Sequence, residues 1–263
     1  MKPHLAVVLP GAMRYDAHNV NDTWLGTVKL KGGTVLHAFL KDIYAKELAN
    51  ELLGAALASS LNLPVPQSIL ALAKPDIVPA VKGRSVNGEY RLLFGSERKG
   101  SPPLSQMWTG KFMPASIAES LSAWTRSGDA FVFDTWTANI DRNLGNLLFG
   151  GPRDVWLIDH GECFTGRLWS GDELIPDAHY QNKMASWLIP YLDGKQRESL
   201  RSAAWAMQSA VRSLDIDAIA AASLAASILT VRDTEAILTF LKKRIEHFPS
   251  IAMAQAGNPE LLT

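Results

Sequence analysis

The sequence predicts an α+β chain: a β-rich first third built around one main helix, a polar linker and a mostly helical remainder. Three observations carry that expectation. Short apolar runs punctuated by Gly and Pro fill the chain up to about Phe94, the signature of strands and turns. One Ala- and Leu-rich segment interrupts them with helical composition. From Ile117 onward, apolar residues recur at three- and four-residue spacing.

In chain order, Leu5 to Leu9 reads as a strand, and Trp24 to Leu30 and Thr34 to Lys41 as two more joined by a Lys31-Gly32-Gly33 turn. A helix follows from about Tyr44 to Leu61, with Leu48, Leu52 and Ala55 or Ala56 on one face, until Pro64 and Pro66 stop it. Gln67 to Ala73 and Tyr90 to Phe94 complete the strands. Gly95 to Pro103 (GSERKGSPP) has the composition of a linker, so residues 1–95 and 96–263 are expected to form two units. Ile117 to Ser127 and Ala130 to Ala138 read as helices, and Gln181 to Phe248 as nearly continuous amphipathic helix. In that tail Asp233 is the expected N-cap of a helix whose far end carries Lys242, Lys243 and Arg244.

Bulk composition narrows the function. The 263 residues are 47% apolar and 20% charged, an ordinary globular mixture. Twenty-six basic and twenty-six acidic side chains cancel, so no overall field draws in nucleic acid or an anionic membrane. The basic run at Lys242 to Arg244 reads as a solvated helix face. A single cysteine, Cys163, excludes an internal disulfide and reads as a partly buried packing residue. The histidines are scattered without an HxxxH or HExxH pair, which argues against zinc. The longest apolar stretch, Ile216 to Val231, is interrupted by Asp217 and diluted by Ala and Ser, so no membrane span is expected. The first ten residues are too short an apolar run for a signal peptide, and a cytoplasmic location is the expectation.

The chemistry-bearing segment is Phe133 to Phe164, FDTWTANIDRNLGNLLFGGPRDVWLIDHGECF. Asn146 to Phe149 and Val155 to Ile158 are two short apolar runs around a Gly150-Gly151-Pro152-Arg153-Asp154 turn, an antiparallel hairpin that sets Asn146 across from Ile158. Asn146 and Asp159 therefore emerge at the same open end, with Asp141 five residues upstream on the loop entering it. Magnesium takes one or two protein oxygens and leaves the rest to water and phosphate. Asn146 and Asp159 can supply those, while Asp141 is placed to accept the proton of an attacking hydroxyl. The D-x-x-x-x-N spacing alone is weak; the spacing, the hairpin and the Asp159-His160-Gly161 run together make the signal.

At Asn139-Ile140-Asp141-Arg142 with Asn146, and at Ile158-Asp159-His160-Gly161, the sequence resembles the HipA-like kinases and, more distantly, the type II phosphatidylinositol kinases. The resemblance implies a two-lobed, protein-kinase-like fold, with Asp141 as catalytic base and Asn146 and Asp159 as metal ligands. It also implies a phosphate-holding lysine, Lys41 at a strand end, steadied by a helix glutamate. Glu51 is the expected partner, with Glu47 one turn earlier competing. The segments Asn50-Glu51-Leu52 and Leu63-Pro64-Val65-Pro66 look like the corresponding stretch of small HipA-like proteins. The resemblance spans Trp24 to Phe164 and fades in the C-terminal helices. Two departures stand out. No GxGxxG loop is present: counting strands back from Lys41 puts the phosphate-covering loop at Pro10 to Asp22, with only Gly11, so nucleotide cover is expected from side chains such as Arg14 or Asn21, or from a loop that orders only with ligand. No A-P-E segment follows Asp159-His160-Gly161.

The implied function is an ATP- and magnesium-dependent kinase, with a serine/threonine hydroxyl of a protein as the leading acceptor by analogy. A small-molecule or lipid kinase is the second enzyme reading. A nucleotide-binding pseudokinase or scaffold is the reading from another class. Neither nucleic acid nor a membrane span is expected among its partners.

Overall fold

The computed structural model describes residues 2–15, 21–107 and 113–257. In β1 (His4–Val8) strict alternation buries Ala6 and Val8 and leaves Leu5 and Val7 outside. The two-residue β2 (Met13–Arg14) precedes β3 (Thr23–Leu30) and β4 (Val35–Lys41). Gly33, at φ +91°, lets the chain reverse between the last two in a left-handed conformation open to glycine. Their antiparallel register runs from Lys29 opposite Val35 to Thr23 opposite Lys41.

β4 leads into α1 (Ala45–Ser60), buried along almost its whole length. Asn62 at φ +56° turns the chain out, and the prolines at 64 and 66 prevent its resumption. β5 (Ser68–Ala73), β6 (Ser85–Val86) and β7 (Tyr90–Glu97) follow. Because β1 pairs antiparallel with β3 and parallel with β5, the order β1-β5-β7-β4-β3 returns to its start and closes a five-stranded barrel. Small residues fill its interior: Ala6, Ala38, Ala71 and Ala73 share it with Val28, Leu40, Ile69 and Leu93. Gly95 stands in β7 where a Cβ would lie 3.0 Å from that of Ile69 and 3.3 Å from Leu40. The strand that the sequence reading ends at Phe94 therefore continues through Gly95 and Ser96 to Glu97. Glycine here marks a crowded barrel interior rather than a hinge.

Among the described residues, the regular structure that follows is helical except for one hairpin. α2 (Leu104–Met107), α3 (Ala115–Ser122) and α4 (Ser127–Trp136) lead to β8 (Leu147–Phe149) and β9 (Val155–Leu157). Then come α5 (Lys183–Trp187), α6 (Gly194–Arg212), α7 (Ile216–Ala222), α8 (Ala225–Ile228), α9 (Val231–Arg244) and α10 (Phe248–Gly257). α4 is buried all round from Ala130 to Trp136, as an apolar helix in the middle of a core must be, and α6 and α10 pack on it. α1 serves both halves. Ala49, Leu53 and Leu57 join the helical core, while Leu48 and Leu52 pack with Ile43 and Phe94 beneath β7.

Three expectations are corrected. The N-cap of α9 is Thr230, whose hydroxyl accepts from the Asp233 N–H at 3.1 Å, so Asp233 lies within the first turn and pairs with Lys46 at 3.1 Å. The run Lys242 to Arg244 is not a uniformly solvated face. Lys242 pairs with Asp217, but Arg244 is fully buried and donates to the carbonyls of Thr135, Pro176 and Ala178. Burial pulls the Arg244 pKa down to about 10. Cys163 is wholly rather than partly buried, and that burial pushes its thiol far up, leaving it inert. Among the described residues no helix is long and apolar enough to cross a membrane, and Ile216 to Val231 is broken at Leu224, φ +66°.

The packing of α1 yields a test. A Cβ on Gly54 would lie 2.7 Å from the Cβ of His160 and 3.3 Å from Cys163 Sγ. Alanine is the better helix former by about 1 kcal/mol, yet overpacking costs roughly 1–3 kcal/mol. Gly54→Ala should therefore lower the melting temperature, and a rise would contradict this packing.

Candidate active site

Asp134 lies inside the buried α4, where a carboxylate needs a partner. It has one in Arg142, eight residues on: Nε donates to Oδ2 at 2.9 Å and Nη2 to Oδ1 at 3.1 Å, with both side chains fully buried. Asn139 adds a third bond to Oδ1 at 3.0 Å and accepts the Asp141 N–H at 3.1 Å. Burial raises the Asp134 pKa, opposed by Arg142. The remaining guanidinium nitrogen of Arg142 donates to the carbonyls of Asn146 (3.2 Å), Ile158 and Asp159 (3.4 Å). One arginine thus ties α4 to the loop 139–146 and to the mouth of the β8–β9 hairpin.

The hairpin has the expected register. Leu147 faces Leu157, and the Ile158 N–H donates to the Asn146 carbonyl at 3.2 Å. Asn146 and Asp159 leave it at one end. The Asn146 amide nitrogen donates to the Asp141 carbonyl at 2.6 Å, which leaves its oxygen as the available ligand atom. Asn143 fixes the loop between them, accepting from the Gly145 N–H at 2.7 Å and donating to Asp141 Oδ2 at 3.0 Å.

Asp159 adopts φ +59°, a left-handed backbone that costs a non-glycine residue on the order of 1 kcal/mol or more. That turn delivers its carboxylate to the barrel side. Lys41 Nζ, at the end of β4, lies 3.0 Å from Asp159 Oδ1 and 2.7 Å from Glu51 Oε1. The other Glu51 oxygen accepts the His160 N–H at 2.8 Å. Lys41, Glu51 and Asp159 are therefore brought into one cluster. Glu47 instead accepts from the Asn21 side-chain amide at 2.6 Å, and Asn21 Oδ1 accepts from Lys82 Nζ at 3.1 Å. Of the loop assigned to Pro10 to Asp22, residues 16–20 lie outside the described residues; Arg14 pairs with Asp22 at 2.6 Å.

The charges follow from these contacts. Burial would discharge Lys41, but Asp159 and Glu51 outweigh it and hold the ammonium above its ordinary range. Burial would likewise neutralise Asp159, yet Lys41 and then Arg142 hold its carboxyl below the usual range. Glu51, the most enclosed of the three, is pushed up to about 7 by burial despite Lys41. His160 is kept neutral by burial and by Arg142. Among the described residues no group of three or more His, Cys, Asp and Glu could hold a metal by itself. The donor set at the hairpin mouth, one amide oxygen and one ionised carboxylate, instead suits a magnesium ion that keeps water and phosphate as its other ligands.

Several supporting residues escaped the sequence reading. Asp134 carried a signal, being a lone charge within FVFDTW, and Arg142 sat unassigned inside the motif. Asn50 donates to the carbonyls of Gly161, Cys163 and Gly166 and accepts from Trp169 Nε1 at 2.9 Å, holding the segment after Asp159 against α1. Lys183 ion-pairs with Asp141 Oδ1 from α5, and no spacing announced it.

Breaking one partner of a buried pair leaves an uncompensated charge, at a cost of about 3–5 kcal/mol. Asp134→Ala should lose that much stability in denaturant unfolding. A loss below about 1 kcal/mol, the range of a surface pair, would remove Asp134 as the anchor of the loop.

The sequence model of the HipA-like kinases matches residues 39–215. It begins within β4 and runs through α6, further toward the C-terminus than the resemblance read from Trp24 to Phe164. A search of the curated proteins found no match. The matched span covers more than half of the chain and includes β4, α1, the loop 139–146 and the β8–β9 hairpin, so the chain belongs to the HipA-like kinase family.

Proposed function

We propose that the chain is an ATP- and magnesium-dependent phosphotransferase with a two-lobed kinase-like fold, acting on a serine or threonine hydroxyl of a protein. In this reading the barrel and α1 form the smaller lobe, residues 1–95, and residues 96–263 form the larger. The observation that carries the reading is the convergence of Lys41, Glu51 and Asp159 on one side of the hairpin mouth with Asp141 and Asn146 on the loop entering it. Family membership supports the reaction class. The protein acceptor rests on analogy within the family.

In this reading Lys41 holds the nucleotide phosphates as a compact point charge, and Glu51 keeps its ammonium in place. Asn146 and Asp159 would hold magnesium, which would neutralise charge on the phosphate oxygens. The Lys41–Asp159 contact at 3.0 Å places the charge that would meet phosphate beside the carboxylate that would meet metal. Asp141 orients the acceptor hydroxyl and takes its proton as the oxygen bonds to the terminal phosphorus. The bond from that phosphorus to the bridging oxygen breaks, and ADP leaves.

Asp141→Asn tests the assignment. A general base contributes roughly 10²–10⁴-fold to rate, whereas ground-state ATP binding does not need it. Phosphate transfer, followed as autophosphorylation or ATP hydrolysis, should fall by that factor with ATP affinity and melting temperature retained. Near-normal turnover would take the role from Asp141.

A further inference from the structure

We infer that Lys183 is a positioning residue for the phosphoryl transfer proposed above, on which this inference rests: it fixes the Asp141 carboxylate in the orientation from which that group takes the acceptor's proton. A carboxylate at the end of a single Cβ rotates freely unless both oxygens are held. Here both are. Asn143 Nδ2 donates to Oδ2 at 3.0 Å, and Lys183 Nζ ion-pairs with Oδ1. Each carboxylate oxygen has capacity for a second hydrogen bond, so gripping the group in this way leaves room for the acceptor hydroxyl. The Asp141 side chain stays 31% exposed, accessible from the solvent side.

The placement of Lys183 is built into the fold. The residue before it, Asn182, is buried and donates to the Phe131 carbonyl and to Thr135 Oγ1, both at 2.9 Å and both on α4. Its side-chain oxygen accepts the Met184 N–H at 3.0 Å and so starts α5. At the other end of α5, Trp187 Nε1 donates to the Arg142 carbonyl at 2.8 Å, one residue from Asp141. α5 is thus fastened on one side to the helix that carries Asp134 and on the other to the loop that carries Asp141. Lys183 is the residue of that helix whose charge meets the loop. Met184, Ala185 and Trp187 dock α5 into the core, but a pair as exposed as Lys183–Asp141 adds little to folding, so stability alone does not account for this charge.

The test compares wild type with Lys183→Met, which keeps the apolar stem, and Lys183→Arg, which keeps a cationic donor. Initial rates of phosphate transfer from magnesium-ATP give kcat and the KM for ATP, and thermal unfolding gives Tm. A misoriented base costs on the order of 10- to 100-fold in rate. Lys183→Met should lower kcat by that factor with the KM for ATP and Tm unchanged, and Lys183→Arg should recover most of the loss. Wild-type kcat in Lys183→Met, an Arg variant as slow as Met, or a loss that appears in KM for ATP or tracks a fallen Tm would overturn the inference. A wild-type protein that transfers no phosphate would overturn the proposed function together with it, whereas an active wild type with an indifferent Met variant overturns this inference alone.

Discussion

The buried pair between Asp134 and Arg142 is the constraint on which the rest of the site depends. Neither charge can stay in a dry interior alone, so α4 and the loop after it must meet in one geometry. That geometry spends two of the arginine's nitrogens on Asp134 and leaves the third for the carbonyls of Asn146, Ile158 and Asp159. These are the residues at the mouth of the β8–β9 hairpin. A single buried cation therefore sets where the hairpin ends, where Asp159 turns and where Asp141 begins. Such an arrangement is rigid without relying on surface contacts that solvent and salt would loosen.

Around that anchor the charges are divided between two supports. The barrel supplies Lys41 from the end of β4, and α1 supplies Glu51 to hold it. The helical part supplies Asp141, Asn146 and Asp159, and α5 brings Lys183 to Asp141. The contact of Lys41 with Asp159 links the two groups directly, made possible by the left-handed turn at Asp159. Strain of that kind persists only where its surroundings over-determine it, and here the Arg142 bond to the Asp159 carbonyl and the Glu51 bond to the His160 N–H do so.

Much of this was legible in the sequence for a local reason. Apolar runs on either side of GGPRD set the hairpin register, and the register alone brings Asn146 and Asp159 to one end. The strand-end lysine and the helix after it are likewise near neighbours in the chain. What stayed hidden depends on distant pairing. Alternation marks β1 and β5 as strands but not their parallel partnership, which closes the barrel. Gly95 read as a linker residue because composition cannot tell a hinge glycine from one crowded by Ile69 and Leu40. Arg244 read as a solvated charge because its three carbonyl partners come from loops and a helix far earlier in the chain. Lys183 meets Asp141 only once α5 has docked on α4.

In the proposed mechanism Asn146 and Asp159 join a metal to nucleotide phosphate at the hairpin mouth. Its most direct test is the ATP-induced shift in melting temperature, measured with magnesium and with a chelator, in wild type and in Asp159→Ala. Ligand at a hundred times its Kd stabilises the folded state by about 2.7 kcal/mol, enough to be read as a clear shift. Without the metal, the Asp159 carboxylate faces the phosphate anions. The shift in wild type should therefore be much larger with magnesium than without it, and Asp159→Ala should erase that difference, each shift being read against the variant's own ligand-free melting temperature. A wild-type shift that ignores magnesium, or no shift at all from a folded protein, would contradict the account.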